Sequence, residues 1–239
     1  MSKLNVDTIE PEGASTTLTL GASGDTVTIP SGATIDASAG TVTGFASGLA
    51  SVQTFTSSGT WTRPAGITKV IMEVQGAGGS GSNWDNNDYV QAGSGGGYAK
   101  KLLDVSSIST STITVGAGGA AQASATTAGS NGGLSSWADG TNTITGSGGT
   151  GGTDAGGNAD IAGGAATGGD INIPGAIGGG GNNGDGASHG SMFGFGSERG
   201  WTGESHLPNA VGYGGGGAGG YSITSGSGAG GIIIVWEYK

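Results

Sequence analysis

Cysteine is absent from the 239 residues. No disulfide framework can staple this chain, and no thiolate chemistry is open to it. Charge is also scarce, at 10% of residues. Disordered tails are normally highly charged and poor in aromatic and β-branched residues. Low charge together with five Trp and five Tyr therefore argues for a folded chain. Basic residues are missing between Lys101 and Arg199, a span that holds Asp104, Asp139, Asp154, Asp160, Asp170, Asp185 and Glu198. With a formal net charge of −10 and no basic stripe to neutralise phosphates, the composition argues against nucleic-acid binding. An anionic membrane would repel the same surface. The start, Met1-Ser-Lys-Leu-Asn-Val6, lacks the apolar run of a signal peptide. No stretch is long and apolar enough for a membrane span, so no membrane insertion is expected and assembly in a cytoplasm is. No capped amphipathic stretch announces a helix.

Glycine is what the chain has in excess: 58 residues, about a quarter against a typical ~7%. Glycine loses more conformational freedom on folding than any other residue, so the composition is costly to order. Oligomerisation is one way to stabilise a core so thin.

Along the chain, residues 1–50 read as short strands separated by small-residue turns. Leu18 and Leu20 alternate with Thr, as do Val27 and Ile29, and Ile35 and Val42 follow singly. Such strands are too short to build a core alone. They fit either a stalk in which copies of the chain share one core or a leader ordered only by its anchor. A small-residue junction at Ala46–Ser51 precedes the strongest local pattern. Phe55–Thr62 reads as a strand with one tight turn, and Arg63-Pro-Ala-Gly66 as a turn. Ile67–Gln75 alternates, with Val70, Met72 and Val74 on one face. Further strands are expected at Tyr98–Val105 and Thr112–Val115, and weaker ones at Leu134–Trp137 and Asn142–Thr145. The run Ile232-Ile-Ile-Val-Trp-Glu-Tyr238, short, β-branched and glycine-bounded, fits a buried central strand pairing with Ile67–Gln75. Trp61, Trp236 and Tyr238 fall in strands, in or near the core.

Between these strands, every third residue from Gly151 to Gly190 is small, with Gly151, Gly157, Gly163, Gly169, Gly175 and Gly181 six apart. An extended left-handed helix has three residues per turn, so one of its edges would carry only small side chains. Such polyglycine-II helices could pack backbone to backbone. A continuous helix over this span would be roughly 120 Å long at ~3.1 Å per residue, so short helices joined by turns are the realistic form. A bundle of long glycine loops is the competing reading.

Motifs for chemistry are absent. Gly-x-Gly-x-x-Gly matches are trivial at this composition, and no strand-turn-helix unit surrounds them. His189 and His206 show no recognised ligand spacing, and Asp85 and Asp88 read as turn formers. No cofactor, no metal and no catalytic residue is expected, and the chain reads as a non-enzyme. The informative residues are aromatics among Gly, Asn and Ser, where no strand pattern explains them. They are Trp84, Tyr89, Phe193, Phe195, Trp201 and Tyr213. With His189 and His206 they form the candidate binding set, since exposed aromatic faces recur in binding hot spots. Satellite cores pinning long loops are the alternative use of the same residues.

The segment from Phe55 through Gly59-Thr-Trp61-Thr-Arg-Pro64 to Gly76-Ala-Gly-Gly79 resembles the opening of the glycine-rich domain of many bacteriophage tail-fibre proteins. Gly230-Gly-Ile-Ile-Ile-Val235-Trp-Glu-Tyr resembles that domain's last strand. The leader, with Met1-Ser-Lys-Leu-Asn-Val-Asp-Thr-Ile9 and Gly24-Asp-Thr-Val-Thr-Ile-Pro30, is similar to N-termini of marine-phage tail-fibre proteins. The chain is also similar in composition to tip adhesins of T-even-like phages, whose glycine segments form packed polyglycine-II helices. This resemblance implies a homotrimeric fibre on the virion, assembled in the host cytoplasm and joined to other tail or baseplate proteins through residues 1–50. The bacterial surface receptor would be a glycan or an outer-membrane protein. A purely structural virion protein without receptor binding is the alternative. The expected fold is all-β: a short stranded stalk at 1–50, then a glycine-rich sandwich-like domain at 51–239 with long loops or polyglycine-II helices.

Overall fold

The computed structural model describes residues 28, 31–32, 48–84, 89–123, 127–153, 160–182, 187–197, 208–221 and 223–239. Met1–Phe45 and Ala46–Lys239 form separate compact units. The expected stalk residues Leu18, Leu20, Val27, Ile29, Ile35 and Val42 all lie outside the described residues.

The second unit is all-β, with no helix among the described residues. Its strands in chain order are β1 (Leu49–Phe55), β2 (Gly59–Thr62), β3 (Lys69–Gln75), β4 (Asn83–Trp84), β5 (Tyr89–Gln91), β6 (Tyr98–Asp104), β7 (Thr110–Thr114) and β8 (Ser135–Ala138). They continue as β9 (Thr143–Gly146), β10 (Ala166–Thr167), β11 (Ile171–Ile173), β12 (Gly180–Asn182), β13 (Phe193–Phe195), β14 (Val211–Tyr213), β15 (Gly220–Tyr221) and β16 (Ile232–Tyr238). Two antiparallel five-stranded sheets pack face to face, in the orders β1-β16-β3-β6-β11 and β10-β9-β8-β7-β2. The C-terminal strand is central and pairs with β3 in full register, from Ile232 opposite Gln75 to Tyr238 opposite Lys69. The segment Phe55–Thr62 is not one strand. Its turn carries the chain from the edge of one sheet to the edge of the other.

Alternation decides the core. Val70, Met72 and Val74 of β3, with Ile233 and Val235 of β16, face Trp61, Ile113, Trp137 and Ile144 of the second sheet, and all are buried. Each such side chain contributes about 1.5–3 kcal/mol on burial. Trp61 and Trp137 also meet with ring centroids 4.8 Å apart, tilted by 50°. A carboxylate reaches into this core: Glu237 is fully buried and accepts from Trp61 Nε1 and Gln53 Nε2, both at 2.7 Å, and from Ser51 Oγ. A buried charge is tolerated only when hydrogen-bonded, and here the donors come from β1 and β2. Glu237 thus ties both strands to β16.

Beyond the sandwich the strands run on as glycine segments, and β3 continues into Gly76–Asn83. The amides of Gly76, Gly79 and Ser82 donate to the carbonyls of Gly97, Ser94 and Gln91. Those of Ala77, Ser80 and Asn83 donate to Gly133, Ser130 and Thr127, and those of Gly78 and Gly81 to Ala229 and Gly226. All are 2.8–3.1 Å long. Successive residues therefore bond to three different neighbours in rotation, the signature of a three-residue turn. On the acceptor side, Gly149 and Gly152 donate to Ala77 and Ser80, Gly217 and Gly220 to Gly79 and Ser82, and Gly119 to Gly78. Six segments thus surround one helix in a polyglycine-II lattice. Asn83 lies about 22 Å from Gly76 at ~3.1 Å per residue.

Close approach explains the glycines. A Cβ at Gly78 would stand 1.8 Å from the Gly215 carbonyl oxygen, and one at Gly81 would stand 1.9 Å from that of Ala218. The three-residue phase after Gly151 is realised only in pieces. Gly163 packs on Gly175, and Gly175 and Gly178 pack on Gly95 and Ala92, but β10 and β11 interrupt the run. Asp154, Gly157 and Gly184 lie outside the described residues.

Candidate functional site

The two X-Gly-X triplets of the 186–213 region form one hairpin. In β13 and β14, Phe193 lies opposite Tyr213 and Phe195 opposite Val211. Gly212 and Gly214 adopt left-handed backbone, φ +83° and +76°, which lets the chain turn tightly into the lattice. The ends are fixed there. The amide of Gly96 donates to Gly214 O at 2.8 Å, and the amide of Ser197 donates to Gly216 O at 3.2 Å. Within the hairpin, Ser191 Oγ donates to Tyr213 O.

The hairpin separates inward from outward aromatics. Phe193 is half-buried and meets Tyr98 edge to face, centroids 5.5 Å apart. Phe195 is 79% exposed, beside exposed Met192 and Val211. Open grooves flank Phe195. One, of about 500 Å³, has Tyr98 on its floor and Ile173, Pro174, Ala176 and Met192 in its walls. The other, of about 370 Å³, runs between Phe195, Ser197, Pro208, Asn209 and Val211. Tyr98 is held beneath the first groove. Burial pushes its phenol pKa well up, helped by the Glu73 carboxylate that accepts its hydrogen bond. Glu73 in turn pairs with Lys100 at 3.2 Å. Among the described residues neither groove is lined by a carboxylate or a histidine.

His189 is exposed in the same loop, and its Nδ1 lies 3.1 Å from the Ile177 carbonyl. A carbonyl only accepts, so Nδ1 carries the proton and Nε2 is the acceptor of the neutral ring. Phe193, Phe195 and Tyr213 are thus brought together in one hairpin, and His189 belongs to the loop that leads into it. Trp84 is not brought there. It sits half-buried in β4, paired with Tyr221 of β15 at the lattice end remote from the sandwich, roughly 25 Å from Gly76 along the helix axis at ~3.1 Å per residue. Tyr89 pairs with Asn182 nearby, and its side chain lies outside the described residues, as do Trp201 and His206 entirely. Among the described residues no group of three or more His, Cys, Asp or Glu could hold a metal.

Residues 50–236 match the glycine-rich domain family over most of the chain. The chain belongs to that family. No curated protein matches it. Within this glycine-rich domain, Met192, Ile173 and Val211 join the candidate surface although the aromatic criterion passed over them. The signal for them was the repeated pattern Phe-Gly-Phe and Val-Gly-Tyr, two triplets able to pair, and the alternation Ile171-Asn-Ile173 before Pro174.

Proposed function

We propose that this protein is a bacteriophage tail-fibre protein that attaches the virion to a bacterial surface glycan or outer-membrane protein, without enzymatic turnover. The observation that carries the reading is Phe195, 79% exposed between two open grooves on a hairpin hydrogen-bonded at both ends. Large aromatic anchors beside apolar pockets are the usual hot spots of recognition. Function on loops over a rigid scaffold is the general pattern, and the backbone lattice is such a scaffold. The described lining of both grooves is mainly apolar and glycine-rich, which suits contact better than proton transfer. In this reading copies of the chain form a homotrimer joined to tail or baseplate proteins through residues 1–50, assembled in the host cytoplasm. Several sites per fibre then add avidity to a weak single contact.

The test is competition. Purified protein should block phage adsorption to its host, and Phe195→Ala with Met192→Ala should weaken that block at least tenfold while the circular dichroism is unchanged. A folded double variant that blocks as well as the parent moves the site away from the hairpin. Parent protein that never binds cells, yet is present in virions, leaves the purely structural role.

A further inference from the structure

The C-terminal strand reads as buried on both faces; among the described residues one of its faces is buried throughout, and on the other only Ile232 is. Ile233, Val235 and Glu237 face the core; Ile234, Trp236 and Tyr238 point to the other side and are half-buried. An antiparallel sheet with one wet face normally alternates apolar with polar residues. Here the outer face carries an apolar row across four strands. Val52 lies opposite Trp236, Trp236 opposite Ile71, and Ile71 opposite Leu102. Val52 and Leu102 are 44% and 56% exposed. The next row runs from Ile234 through the Glu73–Lys100 ion pair and ends at Ile171 on β11, which is 51% exposed. An apolar strip rimmed by charge, with Glu73 and Lys100 on one side and Lys69 and Asp104 on the other, marks an interaction site.

The distribution of charge indicates the occupant. Residues 1–47 hold one base, Lys3, against five acids. The sandwich strands and their turns hold Arg63, Lys69, Lys100, Lys101 and Lys239 against Glu73, Asp104, Asp139, Asp170 and Glu237, which is a net charge of zero. The remaining seven acids, from Asp85 to Glu204, stand against Arg199 alone in the sequence between the glycine helices. Two copies brought together through either acidic region would repel. The neutral sandwich is where a copy can meet a copy, and its outer face is the apolar one.

We infer that the outer face of the sheet β1-β16-β3-β6-β11, centred on Trp236 and Leu102, is the self-association face that receives a second copy of this chain. It gives the copies of the proposed fibre their contact, and so rests on that association, but not on receptor binding.

The full chain is tested by light scattering at matched concentrations. The parent should have a mass that is a multiple of 22.5 kDa, and Leu102→Glu or Val52→Lys should raise the dissociation constant at least tenfold. Because the chain has no cysteine, a single Leu102→Cys also reports the contact without adding charge. A short bis-maleimide should join its copies, whereas Thr112→Cys, exposed on the opposite sheet, should stay unlinked. A multimer indifferent to both substitutions and unlinked through Leu102→Cys overturns the face and leaves association elsewhere. A parent of monomer mass overturns both, and the adsorption block, read separately, then decides receptor binding by itself.

Discussion

At the scale of the residue, glycine acts here by occupying no space. Gly78 has Gly215 carbonyl oxygen where a Cβ would be, and backbone cannot rotate away as a side-chain tip can. Overpacking typically costs 1–3 kcal/mol. Gly78→Ala is therefore expected to lower stability by about 3 kcal/mol, read as a shift of the urea midpoint at constant slope. Gly59 has nothing within 4 Å of its Cβ position. Gly59→Ala should be neutral or stabilise by about 0.5 kcal/mol, because it removes only unfolded-state freedom. Equal losses at the two sites would mean that composition, not close approach, selects glycine. Tyr98 supplies a second residue-scale prediction. Its folded pKa lies above the ordinary tyrosine value, so the unfolded chain releases the proton first as pH rises. The stability it contributes is complete below pH ~10 and declines above it. Alkaline denaturation should steepen above pH ~10, and Tyr98→Phe should flatten that limb.

At the scale of the element, period-two patterns were legible and three-residue patterns only partly so. The strands from Lys69 to Gln75 and Ile232 to Tyr238 were readable because alternation and a glycine stop define them, and each pairs as expected. The glycine helix at Gly76–Asn83 was not singled out. Its partners at Gln91–Gly97, Thr127–Gly133 and Gly226–Ala229 are remote in sequence, and no side-chain period announces a bond between backbones. The buried Glu237 was hidden for a related reason, since its donors Ser51, Gln53 and Trp61 lie more than 170 positions away. The hairpin of Phe193 and Tyr213 was found by its aromatics and not by its ladder. The edge strand β11 depends on one further contact: the Asp170 carboxylate accepts from the Leu102 amide at 2.9 Å and from Lys101 at 3.4 Å. The Leu102 amide and the Lys101 charge hold this carboxyl below its ordinary value. Its contribution is therefore present above pH ~4 and lost as pH falls through the lowered value. Amide exchange at Leu102, corrected for intrinsic rate, should speed up relative to that at Met72 as pH falls below the ordinary carboxylate range of ~4. Asp170→Asn should give the faster exchange at pH 7 as well.

At the scale of the whole molecule, the sandwich and the lattice are built from the same strands. β3 enters the central glycine helix, β6 leaves its neighbour, and β16 follows Gly226–Gly231. The lattice buries few side chains, so its cohesion is hydrogen bonding in the absence of water, with weak Cα–H···O contacts between backbones. It cannot be expected to persist once the sandwich opens, because the sandwich fixes the spacing and register of six helices at one end. Residues 46–239 should therefore unfold as one unit. Near-ultraviolet dichroism from the Trp61–Trp137 pair and amide exchange at Gly78 and Gly79 report opposite parts of this unit. Both should give the same free energy of opening and the same denaturant slope. Deleting Ile232–Lys239 should then abolish both signals together, since it removes the strand between β1 and β3 along with the carboxylate that Trp61, Gln53 and Ser51 share. Glycine amides that exchange well before the tryptophan signal is lost would show that the lattice opens by itself, and the helices, not the sandwich, would then be the weaker partner.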